Sequence, residues 1–182
     1  MRYFFRRRIP PFSRVLLIES GARHLFEDFL PQLYRSHGDD IIADLVTCYR
    51  GAPRSFRADT GSVYHVSDYR GRSGRRKLWR ELAANHYTVS AVICSGEPIM
   101  TKWKWMLAVR LPVKILVLNE NGDYFWLDYS NWRIIRRFIL IRAGLSGAGA
   151  ARTLGRLILF PFTLLYLLLY TAIVHLRRKV RA

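Results

Sequence analysis

The stretch "VKILVLNENGDYFWLD" (113–128) decides how the chain folds, because it joins an apolar run to a polar turn signal. Asn121 and Gly122 both tolerate positive φ angles, and such a pair between hydrophobic runs predicts a two-residue β-hairpin. The same residues also follow a strand that is apolar on both faces, where a parallel sheet presents polar groups to a ligand. The sequence leaves two interpretations open: a hairpin with residues 124–127 as an antiparallel edge strand, or a ligand-binding edge from which residues 123–132 lead away.

The sequence before this stretch alternates short apolar runs with helical patterns. Strands are predicted at 14–19, 41–48, 62–68, 87–95 and 113–118, and helices at 22–35, 73–86 and 97–111. Strands interleaved with helices predict a mostly parallel sheet covered on both faces. Right-handed crossovers then favour an α/β domain with a Rossmann-like, doubly wound sheet of about five strands in the order 3-2-1-4-5.

The net charge of +17 is concentrated at the two ends of the chain. Residues 1–13 carry four basic and no acidic side chains, and residues 129–182 carry ten basic and no acidic ones. Residues 14–128 between them carry sixteen basic and thirteen acidic side chains. A nucleic-acid-binding domain keeps its basic surface on the folded core, so this distribution argues against a nucleic-acid partner. It favours attraction to an anionic membrane surface.

The C-terminal segment is the most apolar part of the chain. "LILFPFTLLYLLLYTAIV" (157–174) has no charged residue, and a helix over 154–176 approaches the thickness of a bilayer core. Residues 132–143 predict a shorter interfacial helix with arginines on one side. We therefore expect a transmembrane or re-entrant helix, a lipid partner, and an α/β domain on the cytoplasmic side of the inner membrane. The residues expected at the membrane surface are Arg133, Arg136, Arg137, Arg177, Arg178 and Lys179.

These patterns divide the chain into a basic, aromatic N-terminal arm, an α/β domain and a membrane-associated helical segment. The predicted ranges are 1–13, 14–131 and 132–182. Two cysteines provide neither a disulfide framework nor a zinc-binding spacing, and the five histidines are scattered, so no metal site is expected. The chain also lacks the GxGxxG fingerprint, which argues against a dinucleotide cofactor, and no cofactor is predicted.

Candidate site residues follow the first, fourth and fifth predicted strands, which neighbour one another in the expected order. In such sheets, ligands bind beyond the carboxyl ends of the strands. A carboxylate there could act as a general base toward a sugar hydroxyl, although the same residue types are common as caps and turns. The candidate catalytic residues are Glu19, Glu97 and Glu120, and the candidate substrate-binding residues are Ser20, Gly21, Ser95, Gly96, Asn119 and Asn121.

The order "RVLLIES", "ADLVTC", "NHYTVSAVICS", "VKILVLNENGD" over residues 14–122 resembles the amino-terminal half of GT-B glycosyltransferases, closest to the heptosyltransferase-like group. The resemblance implies a domain that binds a sugar or lipid-linked acceptor, and a partner that carries the nucleotide-sugar domain. The family's Gly-Asp after the first strand is replaced by "ESGARH" (19–24), so no catalytic residue is transferred from it.

Two functions follow from the sequence. The first is a membrane-anchored, glycosyltransferase-like protein of cell-envelope polysaccharide or glycolipid synthesis. The second is a non-catalytic, membrane-associated module that docks a protein partner. The first requires the three candidate carboxylates around one crevice. The second expects them to be dispersed or hydrogen-bonded as caps, with an exposed apolar patch elsewhere.

Overall fold

The computed structural model describes residues 4–38, 40–145 and 150–181, which form six strands and five α-helices. The strands are β1 (Arg14–Glu19), β2 (Ile42–Thr47), β3 (Val63–His65), β4 (Val89–Ile93), β5 (Lys114–Leu118) and β6 (Tyr124–Trp126). The helices are α1 (His24–His37), α2 (Gly71–Ala84), α3 (Thr101–Arg110), α4 (Trp132–Arg142) and α5 (Ala150–Arg181). Two short 3₁₀ turns follow β3 and β6, at Val66–Asp68 and Tyr129–Asn131.

The six strands form one sheet in the order β3-β2-β1-β4-β5-β6, with the first five parallel and β6 antiparallel to β5. The predicted Rossmann-like, mostly parallel sheet is confirmed. We predicted about five strands, and the structure has six. The additional strand is β6, which forms because the Asn121-Gly122 turn brings the chain back along β5. Gly122 has a φ of 81°, and Leu118 pairs with Tyr124 across the turn. The hairpin interpretation is therefore correct, and residues 124–126 do not lead away from the sheet.

The core forms because both faces of the inner strands are apolar. Alternate residues of β1 point to opposite faces, and Val15 and Leu17 join the cluster that packs α1 on the sheet. Phe26 and Leu30, one helical turn apart on α1, are fully buried in that cluster. The continuous apolar runs in the sequence thus correspond to strands covered on both sides.

A buried carboxylate ties the first three strands together near their amino ends. Asp44 in β2 is fully buried and accepts hydrogen bonds from Arg14 (2.9 Å), from the Ser62 amide (2.7 Å) and from the Tyr87 hydroxyl (2.6 Å). Burial, together with the hydrogen bond to Asp44, raises the pKa of Tyr87. The Asp44 carboxylate is therefore fully hydrogen-bonded within the protein and is not open to a ligand.

The chain divides into two compact units, Met1–Trp132 and Arg133–Ala182. Helix α4 matches the predicted helix over 132–143, and α5 extends beyond the predicted 154–176 at both ends. Among the described residues, no helix is both long enough and apolar enough to cross a membrane. The predicted transmembrane helix is therefore not supported.

Some predicted features lie outside the described residues. These are positions 1–3 of the N-terminal arm and positions 146–149 of the segment before α5. The side chains of Arg177, Arg178 and Lys179, which we expected at a membrane surface, also lie outside the described part of α5.

Candidate functional site

The structure brings together the carboxyl ends of β1, β4 and β5. The Ser20 hydroxyl donates to the Ile93 carbonyl at 2.6 Å, and the Gly96 amide donates to Glu120 Oε2 at 3.1 Å. A Cβ on Gly21 would lie 2.3 Å from Ile93 Cγ2, so only glycine fits between these strand ends. The three segments that follow β1, β4 and β5 therefore meet at one edge of the sheet.

Glu19 is engaged within the protein. Its side chain is fully buried, and Oε1 accepts a hydrogen bond from Arg23 Nε at 2.9 Å, while Oε2 accepts one from the Thr47 hydroxyl. Arg23 also donates to the carbonyls of Arg50 and Gly51, at 3.0 and 3.3 Å. The hydrogen bond to Glu19 raises the pKa of the Arg23 guanidinium. Glu19 thus orients Arg23, which holds the segment after β2 against β1.

Glu97 and Glu120 differ from Glu19 in their surroundings. Glu97 is exposed, whereas Glu120 accepts the Gly96 amide and so joins the β5 end to the β4 end. Burial raises the pKa of the Tyr49 hydroxyl, and interactions with Cys48, Glu19 and Glu97 raise it further. Two of the three candidate carboxylates are thus hydrogen-bonded to the protein's own groups.

Asn119 and Asn121 belong to the β5–β6 hairpin. Asn119 Oδ1 accepts the amides of Asn121 and Asp123, each at 2.9 Å, which is an Asx-type arrangement that closes a turn. The side chain of Asn119 also donates to Asp123 Oδ2 at 3.2 Å. The structure therefore places the predicted substrate-binding asparagine Asn119 in a role that stabilises the turn.

A residue that the sequence did not single out, Lys104, lies at the same edge. Its side chain is 5% exposed, and Nζ donates to the Ile93 carbonyl at 3.4 Å, a long hydrogen bond. No carboxylate of the described residues forms an ion pair with it. Ser95 follows Ile93 by two residues. Its hydroxyl is buried and has no hydrogen-bond partner among the described residues.

Helical periodicity could have found Lys104. It lies three and four residues before Leu107 and Ala108, both of which are buried, so it shares their face of α3. The alternation of Lys102, Trp103, Lys104 and Trp105 hides in the sequence which of the two lysines lies on that face. In the structure Trp105 is half exposed and Lys104 is on the buried face.

The chemistry of this edge suits an anion. Helix α3 has ten residues and begins after Met100, whose φ is 50° and whose side chain caps no amide. The first helical hydrogen bond joins the Lys104 amide to the Met100 carbonyl, at 2.9 Å. Uncapped amides at a helix start, a buried ammonium and an unpartnered hydroxyl all interact favourably with negative charge.

Other parts of the described chain offer less. No group of three His, Cys, Asp or Glu side chains within it has an arrangement that could hold a metal ion. A cavity of 310 Å³ lies at the amino ends of β4 and β5, lined by residues that include His86 and Val113. Another, of 210 Å³, lies between α1 and β6 and includes Phe29 and Trp126. Both are lined mainly by apolar and aromatic side chains.

Comparison with known proteins adds no relationship to this geometry. No protein-family model, no curated protein and no solved structure matches the chain.

Proposed function

We propose that this chain is a non-catalytic, membrane-associated docking module, in which α5 attaches a Rossmann-like domain to lipid. The observation that carries the proposal is the exposed apolar surface of α5. In the part of α5 whose side chains the structure describes, eleven large apolar side chains are 47–67% exposed: Ile158, Leu159, Phe160, Phe162, Leu164, Leu165, Tyr166, Leu167, Leu168, Leu169 and Tyr170. They follow one another over more than three helical turns and so cover every side of the helix.

A helix that is apolar all round requires an apolar environment. Burying such a surface stabilises by about 25 cal/mol for each Å² removed from water, so eleven exposed side chains provide a strong drive toward association. Soluble monomers rarely expose apolar surface of this extent. Lipid is an occupant that also fits the charge, since residues 129–182 carry ten basic and no acidic side chains.

The arginines of α4 support an anionic lipid surface. Arg133, Arg136 and Arg137, which we expect at the membrane surface, are exposed. Each basic side chain near an anionic leaflet contributes about 1 kcal/mol to binding. Positive charge on both sides of the apolar segment favours the cytoplasmic face of the inner membrane, with the α/β domain in the cytoplasm.

The side chains at the carboxyl ends of β1, β4 and β5, here called the carboxyl edge, support docking over catalysis. A general base must be free to accept a proton from a substrate. Two of the three candidate carboxylates are not free, since Glu19 is paired with Arg23 and Glu120 accepts the Gly96 amide, whereas Glu97 is exposed. These roles are the ones expected of caps and internal ties.

Vesicle flotation tests the proposal. The full chain is mixed with phospholipid vesicles and centrifuged through a density gradient, and we expect it to rise with the vesicles. Replacing Leu164, Leu165, Leu168 and Leu169 by serine is expected to leave most of the protein at the bottom. A matched control replaces exposed apolar residues of the α/β domain, Ile42→Ser and Trp105→Ser, and is expected to float. Equal flotation of the two variants, or no flotation of the wild type, would sink the proposal.

A second candidate is an acceptor-binding half of a glycosyltransferase, which works with a partner that carries the donor domain. The observation that favours it is the uncompensated Lys104 ammonium beside the Ser20–Ile93 contact, near the point where the strand order reverses. Ligands of Rossmann-like sheets bind at this point, and a lipid-linked acceptor carries phosphate.

Native mass spectrometry in detergent separates this candidate from the first. The chain is offered a polyprenyl phosphate and nucleotide sugars. If it is an acceptor-binding half, we expect it to retain the lipid phosphate. Lys104→Met should abolish retention, while Lys102→Met, an exposed lysine on the same helix, should preserve it. If the wild type retained no bound species, the acceptor-binding function would be contradicted, and the proposal of a docking module would be unaffected.

A further inference from the structure

The N-terminal arm is fixed to the amino edge of the sheet. Lys114 at the start of β5 is fully buried, and its Nζ donates to the Arg6 carbonyl at 2.5 Å and to Asp128 Oδ2 at 2.8 Å. The Tyr129 amide donates to the Phe4 carbonyl at 2.9 Å. A basic arm that the sequence separates from residues 128–132 by the whole α/β domain therefore lies beside them.

This attachment leaves large apolar side chains in solvent. Phe5 is 80% exposed, and Tyr129, whose ring centroid lies 6.3 Å from that of Phe5, is 59% exposed. Ile9 and Trp132 are also about half exposed, at 51% and 48%. The backbone of the arm is held in place by hydrogen bonds, but these side chains contribute little to the core. Packing of the α/β domain therefore does not explain why large apolar residues occupy these positions.

The charged residues of the arm are all basic. Arg7 and Arg8 are exposed between Phe5 and Ile9, and residues 1–13 include no acidic side chain. Asp128 shares the Lys114 ammonium with the Arg6 carbonyl of the arm, and its negative charge is neutralised by Lys114. Exposed arginines among exposed aromatic rings match the headgroup region of a bilayer, where phosphates meet the outer part of the acyl chains.

We propose that this surface, formed by Phe5, Arg7, Arg8, Ile9, Tyr129 and Trp132 and here called the arm patch, binds the headgroups of an anionic bilayer. The inference rests on the proposed membrane association but assigns it a second contact, on the α/β unit itself and separate from α5. The arginines bind lipid phosphates and the rings insert at the interface. The patch thereby orients the α/β domain toward the membrane.

The expected size of the effect sets the experiment. Two arginines at about 1 kcal/mol each strengthen binding to an anionic surface by about thirtyfold. We would measure partitioning of the full chain onto vesicles of phosphatidylcholine alone and onto vesicles that also contain phosphatidylserine. Arg7→Gln with Arg8→Gln is expected to lower partitioning onto the anionic vesicles by about that factor, with little change on the neutral ones.

The matched control removes the same charge from the opposite edge of the sheet. Arg72 and Arg76 are exposed near the start of α2, which follows the carboxyl end of β3. Arg72→Gln with Arg76→Gln is expected to retain wild-type partitioning. Equal losses in the two arginine pairs would mean that net charge alone acts, and would overturn the arm patch. Phe5→Ala with Trp132→Ala should weaken partitioning onto both kinds of vesicle.

The two vesicle types separate this inference from the proposed function. Binding to neutral vesicles, with no difference between wild type and the Arg7/Arg8 variant on anionic ones, overturns the arm patch and leaves α5 attachment intact. Binding only to anionic vesicles, lost in that variant, supports the arm patch and removes the role of α5. Release of the chain from anionic vesicles by a single-stranded oligonucleotide at equimolar phosphate would assign the patch to nucleic acid and overturn the lipid assignment.

Discussion

Two buried lysines at opposite edges of the sheet have very different partners. Lys114 at the amino edge is 1% exposed and contacts the Asp128 carboxylate, the Arg6 carbonyl and, at 5.9 Å, the Trp126 ring. Lys104 at the carboxyl edge is 5% exposed, and its partners among the described residues are the Ile93 carbonyl at 3.4 Å and the Trp105 ring, whose centroid lies 6.0 Å from Nζ. A buried charge is costly unless it is paired. The paired lysine therefore serves the structure, whereas the unpaired one is the group whose charge we would expect an external anion to compensate.

The largest expected effect is at the paired lysine. Lys114→Met leaves the buried Asp128 without its counter-charge and frees the Arg6 carbonyl, so we expect a loss of about 3–5 kcal/mol in the free energy of unfolding. Urea denaturation followed by far-UV circular dichroism measures it. The double variant with Asp128→Asn should recover part of the loss, because no uncompensated charge then remains. A loss below about 1 kcal/mol would show that the pair does not hold the arm.

A smaller loss is expected at the carboxyl edge from Glu19→Gln. Glutamine keeps the shape of the side chain but weakens the charge-assisted bonds to Arg23, which is itself partly exposed, so the expected cost is about 1–3 kcal/mol. Glu97→Gln is the matched control, and its exposed side chain should change stability by less than about 0.5 kcal/mol. Equal effects of the two substitutions in the same denaturation experiment would contradict the structural role of Glu19.

The pairing of Lys114 also predicts a pH dependence. Burial alone would raise the pKa of Asp128, but hydrogen bonds from Lys114, Ser130 and the Asn131 amide outweigh it and lower the pKa. Stability from a lowered carboxyl pKa is present above the unfolded value of about 3.9 and is lost as the pH falls through the folded value. Denaturation midpoints should therefore drop below about pH 4.

The control for this pH dependence is a matched pair of asparagine variants. Asp128→Asn should show a shallower decline in acid than the wild type, because it lacks the titrating group. Asp59→Asn, at an exposed position, should follow the wild-type curve. Parallel acid curves for the Asp128 variant and the wild type would place the acid sensitivity elsewhere.

The strand order could be predicted because its physical causes are local. Apolar runs such as residues 14–19 are long enough for strands and too short for helices, and right-handed crossovers leave few arrangements. The hairpin at Asn121-Gly122 was also visible, since both residues suit a tight turn. Its competition with a ligand-binding edge could not be resolved, because the same polar residues suit both and only the pairing of β6 distinguishes them.

The candidate site was less predictable. Sequence position correctly placed Glu19, Glu97 and Glu120 at strand ends, but it carries no information about what a carboxylate pairs with. Arg23, four residues after Glu19, occupies it through a geometry that exists only once α1 packs on β1. The arm beside Tyr129 was likewise hidden, because its contacts join residues more than a hundred positions apart.

The smallest expected effect on stability sharpens the comparison of the two lysines. Lys104→Met replaces an uncompensated buried ammonium by an apolar chain of similar length, so we expect a change within about 1 kcal/mol, toward greater stability. Lys102→Met, at an exposed position of the same helix, controls for helix propensity. Binding of inorganic pyrophosphate, measured by calorimetry, should be weakened by Lys104→Met alone. A loss of stability as large as that of Lys114→Met would make Lys104 a structural residue. A gain in stability together with weaker anion binding would mean that the chain keeps a destabilising charge because that charge binds something.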